Sequence, residues 1–453
     1  MRVSHPALAV SLSLGGVNAA LGIVPGATWT ATNTGEHVQA HGAGIIEEDG
    51  VYYMIGEDKT DGVLFRAVNC YSSTNLVEWS FVGKLLTCTK EDGDLGPNRI
   101  IERPKVTKND ATGKYVLHMH VDSHNYTDAR VGVATGDTVC GEYKYIRSFR
   151  PFEYQSRDIG VFKDEDGTGY LLTEDRAYGT RIIQLTKDYL DVEKVTFGWK
   201  YAAESPALVK RDGTYFIFGS HLTGWDPNDN VYSYAKSLSG PWSEWTEFAP
   251  KGSKTHDSQV SFVLPLGTDK AIYMGDRWHS KNLAASTYVW LPLRFDGTRV
   301  TLDWLQAWTV DVAAGTWSES DVTAEIEGET ATLVNGARVV DCSECSGSKA
   351  AGFLGGDTDG TATFNFNVAK ADRVTLIVNY KNPNVAPRYY AAVSVNGKPP
   401  QAVAFLSTSH LTTTGRSAVH VDLVEGENVA RFSRSKGFGP DVDQLVVPLL
   451  AKN

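Results

Sequence analysis

One element recurs five times in this chain: a short polar signature, then a turn about a dozen residues later, then an apolar strand carrying tyrosine. The signatures are His41-Gly42-Ala43-Gly44, Glu102-Arg103-Pro104-Lys105, Arg157-Asp158-Ile159-Gly160, Glu204-Ser205-Pro206-Ala207 and Ser258-Gln259-Val260-Ser261. They lead to Tyr52, Tyr115, Tyr170, Tyr215 and Tyr273, at offsets of 11 to 14 residues, and successive units start 46 to 61 residues apart. A unit of that size cannot bury both faces of its own sheet, so its copies must pack against one another around an axis. The expected fold is all-β, beginning with a five-bladed β-propeller. Asp49-Gly50, Asp166-Gly167 and Asp212-Gly213 precede three of the five strands and suit tight hairpins, which demand positive φ. Asp164 and Asp166 belong to such a hairpin and not to a calcium loop, because the closing Glu is missing.

In a propeller the innermost strand of every blade runs beside the axis. Glu102, Asp158, Glu204 and Gln259, far apart in sequence, should therefore meet in one funnel. Carboxylates that face one another in a partly dry site push one pKa upward, which is how a protein obtains a general acid at neutral pH. Each acid alone could equally be a strand-end group paired with Arg103, Arg157 or Lys105; three at equivalent positions favour a site. The chain carries 11 Trp and 20 Tyr, whose flat faces suit sugar rings. Its net charge of −11, without a basic cluster, argues against nucleic acid or an anionic membrane as partner. There is no Gly-rich phosphate loop, no metal-ligand cluster in the repeats and no Ser/His/Asp order, so glycosidic bond cleavage is the expected chemistry.

Residues 1–20 read as a secretory signal: Arg2, a small apolar run from Pro6 to Leu14, then small residues around Ala19. The expected protein is secreted, extracellular and monomeric. The propeller is expected over 26–310, a linker over 311–324, and over 325–453 a β-sandwich, jelly-roll-like carbohydrate-binding domain with short alternating strands. Of five cysteines, Cys342 and Cys345 suggest a local disulfide. Cys70 and Cys88 could pair across a blade or both stay as buried thiols, leaving Cys140 free.

Several strings resemble glycoside hydrolase family 43, in particular its exo-acting β-1,3-galactanases: Gln39-Ala40-His41-Gly42-Ala43-Gly44, Gly56-Glu57-Asp58-Lys59, Glu102-Arg103-Pro104-Lys105-Val106, Leu222-Thr223-Gly224-Trp225 and Tyr288-Val289-Trp290-Leu291-Pro292-Leu293. The resemblance implies galactose release from the non-reducing end of β-1,3-galactan, the arabinogalactan backbone, with inversion. It implies Glu204 as general acid and Asp158 as the residue that orients and tunes it. Gln259 would hold the attacking water, as an amide or an imidic acid, and Glu102 would contact the sugar or serve as the base. Glu57, Arg103, Tyr126, Thr223, Gly224 and Trp225 would bind the sugar. The chain departs from the wider family at the first blade, where His41 and its neighbours supply no aspartate. An arabinofuranosidase, a xylosidase or a non-catalytic galactan-binding lectin are the alternatives. The C-terminal part resembles carbohydrate-binding module family 35, which implies structural Ca²⁺ on Glu325, Glu327 and Asp443, and sugar contacts at Asn382, Arg388, Tyr389 and Asp441.

Overall fold

A computed structural model describes residues 21–320, 324–384, 389–434 and 437–448. The expected signal segment and Arg388 lie outside them. The described residues are overwhelmingly β, and no helix among them is long and apolar enough to cross a membrane.

Five four-stranded antiparallel sheets follow one another along the chain, each a simple meander. Their first strands are His41–Glu48, Arg99–Lys108, Ile159–Lys163, Glu204–Arg211 and Gln259–Leu266. Each of these packs against the next, and the fifth packs back against the first, so the five sheets close into a ring. The second strands carry the five repeat tyrosines and pair with the first as the hairpin turns require, for example Glu48 opposite Val51 and Arg211 opposite Thr214. Closure uses the first and fifth sheets. The Tyr288 hydroxyl donates to the Val38 carbonyl at 2.9 Å and accepts from the Ala40 amide at 2.9 Å. Beneath them Trp29, Trp79, Trp290 and Trp308 form one buried aromatic group, in which the Trp308 indole donates to the Trp290 carbonyl at 2.8 Å.

The expected linker instead contains a hairpin, Trp308–Asp311 with Thr316–Glu319. Beyond it a six-stranded and a five-stranded sheet enclose a second apolar core around Phe364, Leu376, Phe405, Phe432 and Leu445. Their longest strands are Thr361–Val368, Asp372–Lys381, Gly415–Leu423 and Gly426–Ser433, with Tyr389–Val395, Gln401–Phe405 and Asp441–Val447 beside them. The N-terminal stretch lies between the two parts: Thr28 exchanges backbone hydrogen bonds with Arg416 and Ala418, and Gly22 donates to Thr375 Oγ1 at 2.9 Å.

The cysteine expectation needs correction. Cys70 pairs with Cys140, not Cys88, while Cys342 pairs with Cys345 as expected. Cys70 is on the third strand of the first sheet and Cys140 on a turn of the second, so the bond joins neighbouring sheets. Cys88 remains a thiol.

Candidate active site

The signatures mark local breaks in the inner strands. A bulge separates His41 from Gly44, Glu102 from Lys105, Glu204 from Ala207, and Val260 from Phe262. An extra residue bends the strand and re-aims the side chain that precedes it, here toward the axis. Gly42, Arg103 and Ser205 take positive φ at equivalent points of three bulges. At position 42 glycine is required twice over, since a Cβ there would sit 2.2 Å from Glu57 Oε1. Arg103 and Ser205 adopt this conformation with side chains, at a cost of order 1 kcal/mol each. Polar contacts compensate: the Arg103 amide donates to Glu57 Oε1 at 2.8 Å, and Ser205 Oγ donates to the Val260 carbonyl.

One mouth of the ring holds a cavity of about 400 Å³, to which Glu102, Asp158, Glu204 and Gln259 all contribute. Glu57, Arg103, Tyr126, Gly224 and Trp225 line it too. Thr223 lies just outside, its hydroxyl committed to the Asp226 carbonyl and Asn228. A larger cavity, about 640 Å³, opens at the opposite mouth, but three of its four lysines are already paired with Glu48, Asp110, Asp164 and Glu165, and the fourth, Lys105, donates to the Gly42 and Arg103 carbonyls. Chemistry, not volume, therefore selects the smaller one.

The two glutamates are driven apart electrostatically. Burial, then the charges of Asp158 and Glu174, push the Glu204 carboxyl up to about 8, although Arg176 touches it at 2.9 Å. Glu174 is itself pushed up to about 7 by burial and by Asp158. Burial alone would raise Glu102 as well, but Lys59 at 3.4 Å, His120 at 3.3 Å and the Tyr126 hydroxyl at 3.0 Å outweigh it and hold Glu102 well below the usual carboxylate range. At neutral pH the cavity thus offers one protonated and one ionised carboxyl, the division of labour an acid-catalysed cleavage needs.

Gln259 lies beside Glu204, and donors fix its oxygen. Its Oε1 accepts from Arg103 Nη2 and, at 2.9 Å, from Trp278 Nε1. Its Nε2 donates to Ser220 Oγ at 2.9 Å and faces Glu204 Oε2 at 3.4 Å. Guanidinium and indole groups can only donate. Both groups therefore hold the Gln259 oxygen as an acceptor.

Arg103, expected to touch sugar, is 4% exposed and acts mainly as a hub, reaching Asp158 at 3.2 Å, Asp276 at 3.7 Å and Gln259. At the first blade His41 is fully buried, with its Nδ1 3.0 Å from Asp276 Oδ1, while the Gly42 amide donates to Asp276 Oδ2 at 3.0 Å. The position without an aspartate is thus filled by a structural pair. Glu102, His120 and Asp158 have ligand atoms within 4.8 Å of one another. Lys59 stands 3.4 Å from Glu102 and Arg103 3.2 Å from Asp158, so positive charge already faces two of the three.

Sequence reading missed Lys59, His120, Glu174, Arg176 and Trp278. Four of these have a discernible signal. The residue opposite each signature on the second strand is again polar: Glu57 opposite His41, His120 opposite Glu102, Ser220 opposite Glu204 and Asp276 opposite Gln259, while the Glu174 amide bonds the Asp158 carbonyl. Trp278 follows Asp276 by two residues, and Lys59 follows Glu57 by two. Arg176 comes from a loop with no periodic mark.

In the C-terminal sheets, Asp443 accepts from the Ser346 amide at 2.8 Å, Glu327 from the Ser346 hydroxyl at 2.9 Å, and Gln444 bridges Glu325 and Glu327. Glu329, absent from the sequence reading, joins them: one oxygen each of Glu327 and Glu329 is buried without a hydrogen-bond partner. Burial and these three glutamates push Asp443 up to about 6. Clustered hard oxygens of this kind fit Ca²⁺. Of the expected sugar contacts, Asn382 adjoins Lys381, which pairs with Asp441 in the sheet, and Asn384 bonds the Tyr389 hydroxyl. Asn382 is fully buried and donates its amide to the Phe405 carbonyl at 3.2 Å, and Tyr389 and Asp441 belong to opposite sheets.

Residues 39–261 match the model of glycosyl hydrolases family 43. Among solved structures, an exo-β-1,3-galactanase from Phanerochaete chrysosporium with galactose is 37% identical, covering 94% of this chain and 100% of that one, with a TM-score of 0.68. The same enzyme has been solved as a Glu→Gln variant with β-1,3-galactotriose. An exo-β-1,3-galactanase from Clostridium thermocellum is 27% identical over 88% of this chain and 100% of that one, with a TM-score of 0.63. A β-1,3-galactosidase of the same family with galactodeoxynojirimycin is 31% identical over 64% of this chain and 100% of that one, with a TM-score of 0.60. No curated protein matches the chain.

Proposed function

This chain belongs to glycosyl hydrolases family 43, a family of five-bladed β-propellers, and from that membership we propose that it is a secreted exo-β-1,3-galactanase, removing galactose from the non-reducing end of β-1,3-galactan with inversion. That it is a glycoside hydrolase follows from the family; the substrate is our reading, supported by relatives that carry galactose and β-1,3-galactotriose. The observation that carries the mechanism is the opposed ionisation of Glu204 and Glu102 across one cavity.

In this reading Glu204 protonates the glycosidic oxygen as the bond to the anomeric carbon breaks. Asp158 keeps that proton on Glu204 until the leaving oxygen takes it. Gln259, held by Arg103, Trp278 and Ser220, places the water; as that water bonds to the anomeric carbon its proton leaves to solvent, from which Glu204 regains the proton it gave. The oxocarbenium-like transition state of glycoside cleavage asks more for a positioned water than for a strong base. Glu102 suits sugar binding better than base catalysis, because the groups that hold it ionised also make it a weak proton acceptor. Trp225, edge-on to Trp278 at 4.8 Å, offers an apolar face for the ring, and Tyr126 and Glu57 offer hydroxyl partners.

The C-terminal sheets fit a carbohydrate-binding sandwich of module family 35, stabilised by Ca²⁺ on Glu327, Asp443 and Glu329, with Glu325 nearby. The test is product analysis on β-1,3-galactan, following the anomeric proton by NMR. Free α-galactose as the first product, abolished in Glu204→Gln, is expected. β-Galactose first, internal cleavage products, or undiminished release by the variant would each overturn the assignment.

A further inference from the structure

A separate cavity, about 170 Å³, lies in the seam between the fifth sheet of the ring and the C-terminal sheets. Arg277 and Thr287 wall it from the ring, and His410, Thr414 and Arg416 from the other side. No carboxylate is among its lining residues. Both arginines lack an acidic partner at contact distance among the described residues; they are satisfied by backbone oxygens alone. Arg277 donates to the carbonyls of His256 at 2.8 Å and Asp257 at 3.4 Å, and Arg416 to that of Gln306 at 3.1 Å. Carbonyls offer partial charge but no countercharge; the Asp257 carboxylate is near enough to act on Arg277 without touching it, and Arg277 sets one face against Trp304. Burial, and then the Arg277 charge, push Arg416 down to about 10; burial and the neighbouring His279, Lys381 and Arg277 push His410 down to about 4. Other buried arginines have carboxylate partners, as Arg103 has Asp158 and Arg181 has Asp175.

We propose that this seam pocket is an oxyanion site, taking a carboxylate or sulfate group between the guanidinium groups of Arg277 and Arg416 with the hydroxyls of Thr287 and Thr414 around it. Arginine's fixed fork of donors is suited to such groups, and partial burial strengthens the attraction. The cavity is large enough for one terminal group and too small for a polysaccharide chain. A galactan backbone is neutral, so the ligand is something other than the substrate unit itself: an acidic sugar carried on the polysaccharide, or a free inorganic oxyanion. The proposal does not depend on the hydrolytic specificity.

The test is thermal unfolding of the full chain at constant ionic strength, balanced with NaCl, against sodium sulfate, sodium glucuronate and neutral glucose. A saturable rise in Tm with sulfate or glucuronate, and none with glucose, is expected, with apparent affinity at least tenfold weaker in Arg416→Met. Saturation by glucuronate alone identifies an acidic sugar; equal saturation by sulfate identifies a general oxyanion site. Thr414→Glu supplies an internal countercharge and should fold, retain hydrolysis and lose the response. No saturable rise in the unaltered protein, or an equal rise in Arg416→Met and Thr414→Glu, overturns the proposal.

Discussion

Replacing Asp158 by Asn should move the alkaline limb of the activity profile toward acid. Glu204 works as an acid only while protonated, so activity falls as pH rises through its pKa, here pushed up to about 8. After burial, Asp158 is the largest cause of that elevation, and it also raises Glu174, which in turn raises Glu204. A unit charge at roughly 6 Å with an effective dielectric constant near 20 is worth about 2.8 kcal/mol. That is about two pH units, and solvent in an open cavity reduces it toward one. The substitution also leaves Arg103 with one carboxylate fewer, which acts in the same direction because Arg103 already lowers Glu204. The expected result is a limb shifted down by about one to two pH units with the acidic limb in place. The assay is kcat/KM for galactose release against pH, which reports the free enzyme. A limb that stays put, or moves upward, would refute the electrostatic account of Glu204 even if the variant were slow.

Three further outcomes are expected. Trp278→Phe removes one of two donors to Gln259 Oε1 while keeping an aromatic ring beside Trp225, and should lower kcat by up to about tenfold with little change in KM, the worth of one hydrogen bond. Cys140→Ser should cost about 2–4 kcal/mol in urea unfolding, whereas Cys88→Ser should stay within about 0.5 kcal/mol. EDTA should lower the Tm of the full chain, with recovery on adding Ca²⁺, and Asp443→Asn should show neither effect; a Tm indifferent to EDTA would count against the calcium cluster.

How much of this was legible beforehand differs by residue. The repeat spacing located all four of Glu102, Asp158, Glu204 and Gln259, because each occupies the same position in its unit and a ring turns equivalent positions into neighbours. Side chains one strand further out were less legible. His120 lies in a strand buried from Tyr115 to Asp122, and the register across from Glu102 is what gives it a role. Arg176 comes from a loop, where no periodicity constrains the side chain.

Periodicity therefore determined the number of sheets, the strand that faces the axis and the chemical types gathered there, since these depend on spacing along the chain. The tertiary structure alone decided that Cys70 meets Cys140, that His41 is held by Asp276, that Trp278 pins an amide, and that Glu204 keeps its proton while Glu102 loses one. Charge, burial and hydrogen bonding act through distance in space, and ring closure brings together groups that the chain keeps tens to hundreds of residues apart.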